Sequence, residues 1–210
     1  AIYAACATVY VAMLGDRMLA PSPDNHFVHL AMSFLHGQLS SLGGFHTDND
    51  WALYDGKWYV SFPPLPALII LPVVAIWKER TYDRLFWSLF AGLAPMAVYL
   101  VLRTLRESGR SARSVANDVL LTALFAFGTV YFFVAVQGTV WFAAQVVGTT
   151  LLALYVLFAL DARQPLWAGL CLGLVVVSRG PSPSLGVIFF VVEALRAARR
   201  DGAPVPDPEA

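Results

Sequence analysis

The sequence predicts an all-α polytopic membrane protein of about six transmembrane helices. Its first extracytoplasmic loop is large and carries a juxtamembrane amphipathic helix. Three observations predict this. First, 58% of the residues are hydrophobic and 13% are charged, whereas a soluble domain is nearer 45–50% apolar and about 25% charged. Second, a soluble chain of this length buries only about 70% of its surface, so this much apolar sequence needs lipid as a second solvent. Third, the basic residues divide unevenly between the connections that join the apolar runs.

The runs follow in order. They are 1–14, 65–77, 85–102, 119–136, 140–160, 166–178 and 184–195. A spanning helix needs about 20 apolar residues, which 85–102, 119–136 and 140–160 approach or meet. Segment 65–77, "LPALIILPVVAIW", reaches only about 20 Å as a helix. It holds Pro66 and Pro72 and follows Pro63-Pro64, so a re-entrant or interfacial segment is expected there. If it does not cross and the N-terminus is cytoplasmic, Arg103, Arg106, Arg110, Arg113, Arg163, Arg196, Arg199 and Arg200 all face the cytoplasm. That arrangement makes 15–84 one extracytoplasmic loop and 196–210 a polar cytoplasmic tail, with 1–195 as the transmembrane module. The expected location is the cell (inner) membrane, multi-pass.

Cys6 and Cys171 both lie in apolar runs and read as packing residues. The formal net charge of zero carries no footprint for nucleic acid. The chain starts at Ala1 inside an apolar run and ends in the Pro-rich "RRDGAPVPDPEA". It is expected to be a fragment that lacks its start.

An acid and three of the four histidines follow the first run, in "SPDNHFVHLAMSFLHG", residues 22–37. Residues 24–36 fit a helix with Ser22 or Asp24 as a cap and Gly37 at its end. Phe27, Leu30, Ala31, Phe34 and Leu35 form one face; His26, His29, Ser33 and His36 form a polar stripe on another. This describes a helix lying along the membrane surface, its stripe turned to solvent or to a substrate cavity. His26 and His29 are close enough to share an ion, but His36 is two turns beyond His29. Asp24 fits a capping carboxylate, a catalytic base, or both.

Three further places on the same face carry polar chemistry. Arg179, in "VVVSRGPSPS", fits either a headgroup anchor or a partner for an anionic ligand. In "AVQGTVWFAAQ", residues 135–145, Gln137 and Trp141 suit hydrogen bonds to a sugar or closure of a tight turn. Within the long loop, Trp51, Tyr54, Trp58 and Tyr59 are interface aromatics, and Asp55-Gly56 predicts a turn before an extended piece. Asp48-Asn49-Asp50 has an Asp-x-Asp spacing but falls in a polar, turn-like stretch, and reads as solvated rather than as a metal site.

An apolar span, an Asp-led helix ending in "HGQL", then "YDGKWYVSFPPLPALIILP", then "RLFWSLFAGLAPMAVYLVLRTL", in that order, resemble the membrane-embedded GT-C glycosyltransferases. The similarity is closest to the protein mannosyltransferase and aminoarabinose transferase branch. Pro63-Pro64-Leu65, Arg84-Leu85 and "SRGP" at 178–181 stand where that superfamily places related elements. Where many relatives carry a second outer-loop acid, this chain reads Gln137-Gly138-Thr139; where the aminoarabinose branch has a Lys before Pro-Pro, it reads Ser61-Phe62.

The resemblance implies a transferase that takes a sugar from a polyprenyl-phosphate carrier on the extracytoplasmic face. Asp24 would be the general base, and Arg179 would meet the charge of the departing lipid phosphate. His26, His29, Tyr54, Gln137 and Trp141 would contact substrate. The implied partners are the polyprenyl-phosphate-linked sugar donor and the lipid bilayer; no cofactor is assigned, and metal use varies among GT-C enzymes. The competing reading is a non-catalytic membrane protein that binds or transports lipid-linked sugars. A transporter with an ion path would need intramembrane ionisable residues, for which Glu193 is the nearest candidate.

Overall fold

The computed structural model describes residues 1–44, 49–180 and 182–202. The chain is mainly helical, with ten α-helices and one two-stranded hairpin among the described residues. Helix α1 is Ile2–Ala12, α2 His26–Leu35 and α3 Leu65–Trp77, and the strands β1 (Trp51–Tyr54) and β2 (Lys57–Val60) lie between α2 and α3. Then come α4 (Asp83–Ala91), α5 (Leu93–Glu107), α6 (Val115–Gly128), α7 (Val130–Ala135), α8 (Val140–Ala159), α9 (Pro165–Arg179) and α10 (Val187–Gly202).

Among the described residues two helical stretches are long and apolar enough to cross a membrane. They are Asp83–Glu107, 25 residues with mean hydropathy 2.0, and Val140–Ala162, 23 residues with mean hydropathy 1.9. The first joins α4 and α5 through Gly92. A Cβ at Gly92 would stand 3.0 Å from the Tyr3 ring and 3.1 Å from Ala7 Cβ, so α1 packs closely against this glycine.

The expected single run at 119–136 is instead two helices. Thr129 is extended (φ −121°, ψ 175°); its Oγ1 donates to the Phe125 carbonyl and accepts from the Tyr131 N–H. A threonine that ends one helix and caps the next breaks an apolar stretch that hydropathy reads as continuous. Segment 65–77 is a 13-residue helix with Pro64 before its first residue and Pro72 inside. Its helical rise is about 20 Å. At the other end of the chain, α10 runs through residue 195 without a break to Gly202, so residues 196–202 of the expected tail are helical. Residues 203–210 of that tail, and Asp48 of the Asp-x-Asp, lie outside the described residues.

The Asp55-Gly56 turn is a two-residue hairpin loop. Tyr54 pairs with Lys57, and both loop residues have positive φ, 48° and 69°. That is the turn whose twist matches antiparallel strands.

The expected surface helix at 24–36 is corrected by its burial. Every residue from His26 to Ser33 is buried; Leu35 and His36 are exposed. Helix α3 packs on one side. The hairpin covers another: the Trp51 ring stacks on His26 at 4.8 Å and meets His29 edge-on at 5.7 Å. His26, His29 and Ser33 of the polar stripe therefore face protein and not solvent, while His36 at its end is exposed. Asn25, not Ser22 or Asp24, immediately precedes the helix, and Ser22 bonds elsewhere. Phe27, Leu30, Ile70, Trp87 and Val147 belong to the largest buried apolar cluster, which ties α2 and α3 to α4 and α8.

Helix α8 sets the dimensions of the molecule. It packs along α9 and α5, and its 20 residues rise about 30 Å, the thickness of a hydrocarbon core. Its first residue touches the Asp24 loop: the Val140 N–H donates to the Asp24 carbonyl at 3.3 Å. Just past its other end, Asp161 joins an arginine network. Asp161 pairs with Arg110, Arg163 and Arg200 at 3.6, 3.5 and 3.2 Å. Glu193 takes a two-pronged bond from Arg110 (2.6 and 2.9 Å) and one from Arg196 (2.8 Å), and accepts the Asp161 N–H. That last bond holds a left-handed residue, Asp161 at φ 53°. Glu193 is thus a structural partner of Arg110, from the connection between α5 and α6, and of Arg196, one turn along its own helix.

Nearby, the Asp118 side chain is fully buried and accepts from Arg106 Nε (2.8 Å) and Arg113 Nε (3.1 Å). Asp118→Asn weakens both of these pairs and is expected to lower the thermal midpoint of the chain; a midpoint equal to that of the native chain would contradict this assignment.

Candidate functional site at the amino-terminal end of helix α8

Four stretches distant in sequence meet at the start of α8. The first is the loop 22–26. Its Ser22 N–H and hydroxyl both donate to the buried Asp83 carboxylate, at 2.8 and 2.5 Å, which fixes the loop to the start of α4. Two residues on, the Asp24 carbonyl takes the Val140 N–H. Asp24 is half-buried, and its backbone lies beside the tight turn that precedes α8.

That turn is the second stretch, Gln137-Gly138-Thr139. Gly138 has φ +64°, and a Cβ there would stand 2.5 Å from the Arg84 Cα and 3.0 Å from the Arg84 Cβ. Only glycine lets the turn lie against the α4 backbone. The third stretch is therefore Asp83-Arg84, held on one side by Ser22 and on the other by Gly138. One turn further along α4, Ser88 Oγ donates to the Ala135 carbonyl at 3.0 Å and keeps α4 against α7.

The fourth stretch is the entry to the hairpin, residues 49–51. Trp141 Nε1 donates to Asp50 Oδ2 at 2.7 Å. The His26 Nε2 lies 2.8 Å from the Asn49 carbonyl. A carbonyl only accepts, so Nε2 carries the hydrogen, and in the neutral ring Nδ1 holds the lone pair.

The polar atoms of this end are incompletely paired. His26 Nδ1, Arg84 Nε and Thr139 Oγ1 are all buried without a hydrogen-bond partner. Each such group costs about 1–3 kcal/mol. His26 is 1% exposed, with Trp51 stacked on its ring and Phe62 edge-on at 5.5 Å. These atoms are one donor, one hydroxyl and, in the neutral ring, one imidazole lone pair.

The residues singled out from sequence distribute unevenly over this site. Asp24, His26, Gln137 and Trp141 belong to it. His29 lies one helical turn further along α2, buried against Trp51. Tyr54 is at the hairpin tip, 75% exposed. Arg179 ends α9, exposed, with its stem across α8: a Cβ at Gly148 would lie 2.9 Å from Arg179 Cγ. Gly148 is about 12 Å along the helix from Val140, so Arg179 shares the Asp24 half of the bundle but stands two turns from the Asp24 contact. Arg84 and Thr139 were missed as site residues. Arg84 entered only as half of an Arg-Leu pair, and its one local signal is a glycine in a short turn far along the chain. Among the described residues no group of three or more His, Cys, Asp and Glu side chains is placed to hold a metal ion.

Comparison with protein-family models, with curated proteins and with solved structures finds no match to this chain.

Proposed function

We propose that this chain is the membrane module of a GT-C-type glycosyltransferase, which moves a sugar from a polyprenyl-phosphate carrier to an acceptor on the extracytoplasmic face. In this reading six spans cross the inner membrane: α1, α4–α5, α6–α7, α8, α9 and α10. Residues 15–84 lie outside, and the arginine network faces the cytoplasm. The observation that carries the reading is the placement of two chemistries at opposite ends of α8. An acid beside unpaired polar groups stands at one end, and a cluster rich in arginine stands at the other. About 30 Å of helix separates them, and the arginine-rich end is the one expected in the cytoplasm.

Asp24 accepts the proton of an acceptor hydroxyl or amine as that group attacks the anomeric carbon. The new glycosidic bond forms on the opposite face of the sugar from the bond that breaks, so configuration inverts. The electron pair of the broken carbon–oxygen bond leaves with the lipid phosphate. Trp141 and Gln137 border the sugar, and the Asp50–Trp141 bond holds the hairpin entry over it.

The test is donor turnover. The full chain in sealed vesicles, given a polyprenyl-phosphate-linked hexose and candidate acceptors from the extracytoplasmic side, is expected to release polyprenyl phosphate in step with a glycosylated acceptor. A chain that binds the donor, or moves it between leaflets, without releasing polyprenyl phosphate is the non-catalytic lipid-linked sugar protein instead.

A further inference from the structure

We infer that the arginine cluster at the far end of α8 binds an anionic phospholipid, whose phosphate lies among Arg196, Arg199 and Arg200 and whose acyl chain runs along the outer face of α10. The inference rests on the proposed placement of α10 in the membrane and not on the transfer reaction. Two open cavities adjoin here. One, of about 590 Å3, is lined by Leu105, Ser108, Gly109, Arg110, Arg196 and Arg200. The other, of about 510 Å3, is lined by Val192, Leu195, Arg196, Arg199 and Arg200. Arg196 and Arg200 border both, so a polar recess and a partly apolar groove share a wall of guanidinium groups. The backbone explains the recess. Gly109, at φ +72°, follows the end of α5, and the Gly109 and Arg110 N–H groups donate back to the Arg106 and Leu105 carbonyls. That turn carries Arg110 across to Glu193 of α10.

Charge complementarity selects the headgroup. Among the described side chains four acids, Glu107, Asp118, Asp161 and Glu193, pair with seven arginines at this end. Arg199 is an eighth, exposed on the groove. A guanidinium offers a fork of donors that matches phosphate oxygens, and basic recesses between membrane helices suit anionic headgroups. Spacing selects the apolar half. Ile188, Val192, Leu195 and Arg199 recur at four, three and four residues, so they form one stripe of α10. Its three apolar members are exposed. From Ile188 to Arg199 the helix rises about 16 Å, close to half of a hydrocarbon core of about 30 Å. An acyl chain of one leaflet covers the apolar part while its phosphate reaches the arginines. A free phosphate would leave that part uncovered.

The experiment measures lipid binding. The full chain, delipidated in detergent micelles, is titrated with dioleoylphosphatidylglycerol, with dioleoylphosphatidylcholine and with glycerophosphate. Native mass spectrometry reads the bound lipid, and thermal unfolding is followed in parallel. Phosphatidylglycerol is expected to bind more tightly than phosphatidylcholine, and glycerophosphate, which lacks acyl chains, should not compete. Arg199→Gln and Arg196→Gln, made separately, should each weaken phosphatidylglycerol binding by roughly fivefold, with unfolding midpoints near that of the native chain. Arg103→Gln is the control for general charge. Arg103 stands at the same end but pairs with Glu107 outside both cavities, so this variant should keep native affinity. Native affinity in both Arg199→Gln and Arg196→Gln, an equal loss in Arg103→Gln, equal affinity for the two lipids, or competition by glycerophosphate overturns the assignment; so does failure of the native chain to bind phosphatidylglycerol. Donor turnover does not enter this readout, so a failure of the transfer proposal is seen separately.

Discussion

Gly138→Ala is expected to destabilise the protein by roughly 2–5 kcal/mol. Two costs add. Alanine in the left-handed region, where Gly138 sits at φ +64°, costs about 1–2 kcal/mol. The new methyl would also stand 2.5 Å from the Arg84 Cα, and backbone cannot rotate away as a side-chain tip can, so overpacking adds about 1–3 kcal/mol. Gly56→Ala separates the two contributions. Gly56 has φ +69° but nothing within 4 Å of its built Cβ, so only the first cost, about 1–2 kcal/mol, applies there. The check is the unfolding free energy of both variants in the same detergent. A Gly138→Ala loss no greater than that of Gly56→Ala would mean that α4 and the turn are not in contact. The site would then lose the approach that places Arg84.

Local chemistry was legible where a single residue type decides the backbone. Asp55-Gly56 reads as a turn because both positions need positive φ, and it is the hairpin loop. Pro64 and Pro66 stand at the start of the helix at 65–77, where the fixed proline φ suits a first turn. Features set by distant partners were less legible. Thr129 breaks 119–136 through two hydrogen bonds that a hydropathy average does not see. The 3-4-3 spacing of His26, His29, Ser33 and His36 correctly groups the first three on a helix, but spacing alone does not reveal the hairpin folded over them.

The site divides the same way. Asp24 stands out as an acid after the first apolar run. Arg84 and Thr139 are distant in sequence and are brought towards it by the Ser22–Asp83 and Val140–Asp24 bonds and the close approach at Gly138. The arginine network shows the opposite case. Charge asymmetry placed Arg106, Arg110, Arg113, Arg163, Arg196 and Arg200 on one face. In the structure they surround Asp118, Asp161 and Glu193, which neutralise part of their charge.

Asp24→Asn carries the largest expected effect on activity. Asparagine keeps the size of the side chain and one acceptor oxygen, and the backbone carbonyl that holds Val140 is unchanged. The loop should keep its place, because its anchor is the Ser22–Asp83 pair. What disappears is the ability to take a proton from the acceptor. A positioned general base is worth about 100- to 10,000-fold in rate, and transfer should fall by that factor. Donor binding should remain, because the side chain keeps its size. The decisive measurement is the rate of glycosylated-acceptor formation by Asp24→Asn beside the native chain, at matched donor occupancy and matched thermal midpoint. A fall of at least about 100-fold with donor binding intact is the predicted result. A rate within a few-fold of native would contradict the account, because it would leave the acid at the head of α8 as a structural residue and the chemistry elsewhere.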